Sequence, residues 1–273
     1  MTMLRILCLG LVSTLCLPPA YALQIEGEED GESFREIYQD GYYLRLENDQ
    51  LMLRYRKEKC LMASEQGDVY VEDSCAKIAD EISKAMSKEV SAIEQQHGVN
   101  ISAQGAALDK MMQAYRGETE LNKVGSGEVS GYDSTIFSTG SSKYWVSPKL
   151  LSEIKKTIDY KQFLKTQERF EAAFSELDAF SDELNNISQI EKDLGEIGYL
   201  MKKADAGMSP MMMDMLPPET RKQLIAQTGE EPVVLNVTSV NTSNVDIKKI
   251  KPSGRKVTIA EYIEVMFRDW DAE

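Results

Sequence analysis

Histidine is nearly missing from this 273-residue chain, where His97 is the one imidazole. A multi-His metal site is therefore excluded, and few routes remain to a Ser or Cys nucleophile served by an imidazole base. Followed by Gly98, His97 reads as a helix-end residue rather than a catalyst. Cations are also short, with 31 Lys and Arg against 45 Asp and Glu and a formal net charge of -14. Nucleic acid is a poor partner for such a chain, because phosphate binding depends on cationic neutralisation. Past the first two dozen residues no apolar run is long enough to span a bilayer, so the chain is not expected to cross a membrane once a leader is removed. The G-x-S-x-G elbow, the phosphate-cradling and dinucleotide glycine patterns and H-E-x-x-H are all absent. Paired carboxylates stay open, since 45 acidic residues offer many combinations, and a carboxylate-dependent hydrolase is kept as a third reading.

The first 22 residues are what an export leader requires. Arg5 precedes an apolar stretch from Ile6 to Leu17, and Ala20-Tyr21-Ala22 supplies small residues for cleavage after Ala22. The expected destination is a bacterial periplasm or the cell exterior. Two of the four cysteines leave with the leader, and the remaining pair, Cys60 and Cys75, reads as a disulfide.

Residues 23–41 open with Glu26-Gly27-Glu28-Glu29-Asp30-Gly31-Glu32 and read as an acidic disordered N-terminus. Residues 42–75 form the β-hairpin module. An Asn48-Asp49 turn pairs 46 with 51, 44 with 53 and 42 with 55, and a Gly67-Asp68 turn sets Cys60 opposite Cys75. Residues 76–116 follow as a helical pair, with Ile78, Ile82, Met86, Val90 and Ile93 on one stripe. Residues 117–147 read as a Gly/Ser-rich aromatic loop whose Tyr132, Phe137, Tyr144 and Trp145 are candidate partner-binding anchors or tuck back into the core.

Ser147 and Pro148 then open a region, 148–206, with Phe163, Phe170, Leu177 and Leu184 at seven-residue intervals. It is expected as one long coiled-coil helix of about 90 Å or as a helical hairpin. Residues 207–230 form a Met- and Pro-rich connector with a short helix. Its Met208, Met211, Met212, Met213 and Met215 suit Cu(I) through soft thioethers, and equally suit apolar contact. Residues 231–273 form a small C-terminal ββα module: strands at 233–240 and 245–250, then a helix started by the Thr258/Glu261 capping box.

Taken together, these features predict an α+β chain that is predominantly helical: disulfide-stapled hairpins, a coiled-coil middle and a C-terminal ββα unit. The leading functional expectation is a non-catalytic exported protein, an accessory or scaffold component of an envelope or secretion assembly. It would bind a protein partner or a second copy through its helical region and need no cofactor. A Met-rich Cu(I)-binding periplasmic protein is the alternative.

Overall fold

A computed structural model describes residues 22–97, 121–139, 142–174, 190, 192–205 and 233–270. The expected leader, the second helix of the pair predicted over 76–116 and the Met-rich connector lie outside the described residues. The described chain builds one twelve-stranded sheet, with strands in the order β12-β6-β5-β4-β3-β2-β1-β11-β10-β9-β8-β7. This overturns the predominantly helical, coiled-coil expectation.

The first six strands are β1 (Leu23–Glu29), β2 (Glu32–Gln39), β3 (Tyr42–Glu47), β4 (Gln50–Arg56), β5 (Lys59–Ala63) and β6 (Val69–Ser74), and they run as an antiparallel meander. Tight turns make it: Asp30-Gly31, Asp40-Gly41, Asn48-Asp49 and Lys57-Glu58 all carry positive φ at both positions, the backbone that matches the twist of a hairpin. The acidic segment at 23–41 is therefore ordered strand, not disorder. Its charges alternate with Leu23 and Ile25, both fully buried, so composition was a poor guide where the period of two decided. Gly27 also has a reason to be glycine, because a Cβ there would lie 2.5 Å from the Asn236 carbonyl oxygen and 2.7 Å from the Phe34 ring.

The Asn48-Asp49 turn pairs Leu46 with Leu51 as predicted, but an irregularity then shifts the register and pairs Arg45 with Leu53 and Tyr43 with Tyr55. One extra residue turns all later side chains over. Leu44, Leu46 and Leu51 consequently pack on one face of the sheet with Ile37 and Leu61, while Leu53 and Tyr55 join the core on the other.

Helix α1 (Cys75–His97) buries Ile78, Ile82 and Met86, three of the residues on the predicted stripe. Strands β7 (Asn122–Val129), β8 (Tyr132–Thr139) and β9 (Ser142–Ser147) occupy the stretch read as a loop. Ser130-Gly131 is another positive-φ turn, and the Tyr, Thr, Ile and Phe of β8 are strand formers that the surrounding Gly and Ser obscured. Helix α2 (Pro148–Thr157) starts where its punctuation put it, with the Ser147 side chain accepting from the Leu150 amide. It stops at Ile158, which is extended. Asp159 restarts the chain as α3 (Tyr160–Phe174), its carboxylate accepting from the Gln162 amide at 3.1 Å.

No single helix therefore runs from 148 to 206, and Tyr199–Asp205 is strand β10. The spacing read as a heptad seam is a core-facing stripe over its described part: Phe163 is buried against Tyr43 and Tyr55, and Phe170 and Phe174 pack on the same core. Strand β11 (Val233–Asn241) lies in mid-sheet between β1 and β10, so it does not belong to a separate C-terminal unit. The predicted strand at 245–250 is irregular chain with a short 3-10 turn at Ile247–Lys249, and Val245, Ile247 and Ile250 cover the Leu44 face of the sheet. Strand β12 (Arg255–Lys256) adds parallel to β6, and α4 (Ile259–Trp270) begins at the expected cap, Thr258 Oγ1 accepting from the Glu261 amide at 3.2 Å.

Cys60 and Cys75 are disulfide-bonded across 15 residues of sequence. Cys75 is the first residue of α1 and not a strand partner of Cys60, which faces Asp73 instead. The bond ties β5 to α1, both of whose cysteines are buried. The Cys60→Ala/Cys75→Ala chain is expected to lose about 3 kcal/mol, the chain-entropy value for a loop of this size. Urea denaturation of the oxidised parent and the variant checks this, and coincident midpoints would contradict it.

Candidate functional site

Two places in the fold carry polar groups in an arrangement that packing alone does not require. The first is a buried carboxylate. The period of β2 sends Phe34, Glu36 and Tyr38 to the face covered by the helices, and Glu36 is only 6% exposed. Directly across on β3, Arg45 is the register partner of Glu36 and Tyr43 that of Tyr38. Tyr38 donates its hydroxyl to Glu36 Oε2 at 2.7 Å, and Tyr43 donates to Oε1 at 2.8 Å. Tyr199, at the start of β10, donates to Oε2 at 2.8 Å although β1 and β11 lie between its strand and β2. Arg45 Nη1 stands 3.6 Å from Oε1 and is itself held by Glu29 at 2.5 Å and Glu47 at 2.7 Å, with its guanidinium over the Phe34 ring.

Burial first, and the Glu36 charge second, push the Tyr38, Tyr43 and Tyr199 phenols well above their ordinary value. Burial of Arg45 is the largest single influence and works against its charge, but Glu36, Tyr43, Glu47 and Glu29 together outweigh it and the guanidinium is held more firmly protonated. Tyr160 is raised to about 12 by burial and then by Glu36. Three hydroxyls and a guanidinium occupy the carboxylate, so Glu36 acts as an acceptor hub joining β2, β3 and β10. Sequence reading missed it by assigning 23–41 to disorder. The available signal was Phe34-x-Glu36-x-Tyr38 on one side of Asp40-Gly41 and Tyr43-x-Arg45 on the other, which a two-residue turn sets in register.

The second place is the edge of the sheet. Strand β7 pairs with β8 on one side, and among the described residues no strand lies on its other side. Its side chains are small or exposed: Val124 is 56% exposed and Gly125, Ser126 and Gly127 fill its centre. A shallow recess of about 390 Å³ lies beside it, lined by Ser126, Gly127, Asp133, Ser134, Thr135 and Pro148. From Lys123 to Val129 this side of the strand has no ladder partner among the described residues, and such an edge is a template for another strand.

The four aromatic candidates, Tyr132, Phe137, Tyr144 and Trp145, lie on β8 and β9 beside this edge. Tyr144 is buried and sits opposite Phe137, and both join Val146 and Leu194 on the sheet face away from α2. Trp145 and Tyr132 point to the other face, where the Tyr132 hydroxyl donates to Glu153 Oε2 at 2.7 Å and Lys202 Nζ lies 4.9 Å from the Trp145 ring. The structure thus places all four on strands β8 and β9, packed against their neighbours. The metal candidates Met208, Met211, Met212, Met213 and Met215 lie outside the described residues. Among the described residues no three His, Cys, Asp or Glu side chains gather as a metal-holding group, and no helix is long and apolar enough to cross a membrane. No family model matches the chain, and no curated protein or solved structure matches it either.

Proposed function

We propose that this chain is an exported, non-catalytic protein-interaction module, an accessory or scaffold component of a bacterial envelope or secretion assembly, and that it binds by accepting a partner strand at β7. The observation that carries the reading is the edge Lys123–Val129, beside which no strand lies among the described residues, backed by a meander whose aromatic side chains are packed against it. Strand addition draws affinity from backbone hydrogen bonds, so an edge of small residues suits it. The contact site moves from the helical region to the sheet because the described part of the apolar helical stripe is spent on the core. Export is supported by the leader pattern in residues 1–22 and by the Cys60–Cys75 disulfide, and β1 begins at Leu23, directly after the expected cleavage point.

Site-specific photocrosslinking in the native host tests this. A photoreactive side chain at Ser126 is expected to give a discrete covalent adduct with a protein, and the same group at exposed Lys248 is not. Ser126 yielding no adduct would end the reading.

A further inference from the structure

The edge just described carries a charge pattern of its own. Val124 is an extra residue in the β7–β8 ladder, where Lys123 pairs with Phe137 and Gly125 with Ile136. That irregularity brings Lys123, Ser126 and Glu128 to the same face of the sheet, opposite Phe137, Thr135 and Asp133 respectively. Glu128 and Asp133 are direct cross-strand partners, both exposed, and among the described residues no cation pairs with either. Like charges directly opposite destabilise a ladder. Lys123 stands at the other end of β7, exposed and with no acidic partner among the described residues. The strand therefore has a surplus of negative charge at one end and of positive charge at the other, both on one face.

From this we infer that the partner at β7 is a second copy of the same chain, docked antiparallel about a twofold axis at Ser126; the inference rests on the binding-edge reading above. A twofold axis perpendicular to the sheet sets Ser126 opposite itself and Gly125 opposite Gly127 of the other copy. It also brings Glu128 of each copy against the bulged Lys123-Val124 pair of the other. Each Lys123 then meets the Glu128–Asp133 carboxylates of the other copy, which no cation of that copy pairs with among the described residues. At the centre, Gly-Ser-Gly places no bulky side chain between the two backbones. The area buried by one strand per copy is below that of a standard stable interface, so the dimer is a weak one, with a dissociation constant on the order of micromolar.

Sedimentation velocity on the purified, oxidised chain between roughly 1 and 100 µM is expected to show monomer–dimer exchange across that micromolar range. Lys123→Glu and Glu128→Lys should each weaken the dimer about tenfold by placing like charges across the axis, and the double variant should restore it to near the parent value. Far-UV circular dichroism confirms that each exposed-edge variant is folded. Independently, Ser126→Cys is expected to form an intermolecular disulfide across the axis under mild oxidation, because facing residues in an antiparallel pair lie about 4.5–5.5 Å apart at Cα. The Lys248→Cys control is not expected to do so. A chain that is monomeric throughout, or a double variant as weak as the singles, overturns the self-pairing. The Ser126 photocrosslink separates the two claims. An adduct of twice the chain mass supports both, and an adduct with a different protein overturns self-pairing while leaving the edge reading standing. No adduct removes both.

Discussion

Replacing Glu36 with alanine is expected to lower the unfolding free energy by about 3–5 kcal/mol, among the largest losses available to a single substitution in this chain. The reason lies in what stays behind. Tyr38, Tyr43 and Tyr199 all donate to this carboxylate, and Glu36 is the one buried acidic side chain among the described residues. Each orphaned buried donor costs about 1–3 kcal/mol, so Tyr38 and Tyr43, with a smaller part from the half-buried Tyr199, account for the figure. Arg45 contributes less, because Glu29 and Glu47 continue to hold it. Glu36→Gln separates hydrogen bonding from charge: an amide oxygen still accepts and hydroxyls can rotate to meet the amide protons, so a loss of about 1–2 kcal/mol is expected. Urea denaturation followed by tyrosine fluorescence measures both. An alanine variant within 1 kcal/mol of the parent, on the order of an ordinary surface change, would mean the hub is dispensable.

The Glu36 hub also shows where sequence reading ran out. Turn chemistry was legible: the Asn48-Asp49 turn, the Ser147-Pro148 helix start and the Thr258 cap all sit where local rules put them. So was the pairing of Cys60 with Cys75. The errors came from averaging over windows. Residues 23–41 are acidic and glycine-broken on average, yet Leu23, Ile25, Phe34 and Ile37 fall at strand spacing between turns. Residues 122–147 are Gly- and Ser-rich on average, yet they form three strands, and a Cβ added at Gly127 would make only ordinary van der Waals contact with Ile136 and Trp145, so glycine there marks no turn. A seven-residue apolar spacing such as Phe163 to Phe170 is equally what a helix on a sheet needs, and nothing in the spacing itself tells the two apart. Bulges are the hardest case. The register shift in β4 depends on which face can bury Leu53 and Tyr55, and the answer belongs to α3, more than a hundred residues away.

The hub predicts an alkaline weakness as well. Tyr38, Tyr43 and Tyr199 hold their protons more tightly in the folded chain than in the unfolded one, burial being the main cause and Glu36 the next. Their contribution is thus fully present below the unfolded phenol value of about 10 and is lost as the pH climbs from there toward the folded values, since only the unfolded chain can release those protons. The three hub protons, at about 1.4 kcal/mol per pH unit each, contribute about 4 kcal/mol per unit to the slope, and the raised Tyr160 and Tyr262 phenols add to it. Set against a typical domain stability of about 5–15 kcal/mol, that is enough to unfold the chain within a few pH units of 10. The expected result is a stability that is flat through neutral pH and falls steeply above about pH 10, with phenolate absorbance from these residues appearing together with unfolding and not before it. Tyr43→Phe should lower the slope by about 1.4 kcal/mol per pH unit, because that position no longer has a proton to lose. If the hub tyrosines instead ionised reversibly near pH 10 with the fold intact, neither their burial nor the hub's hold on the sheet would be as described. A normal titration would place them in contact with water, where Glu36 would have no need of three tyrosine donors.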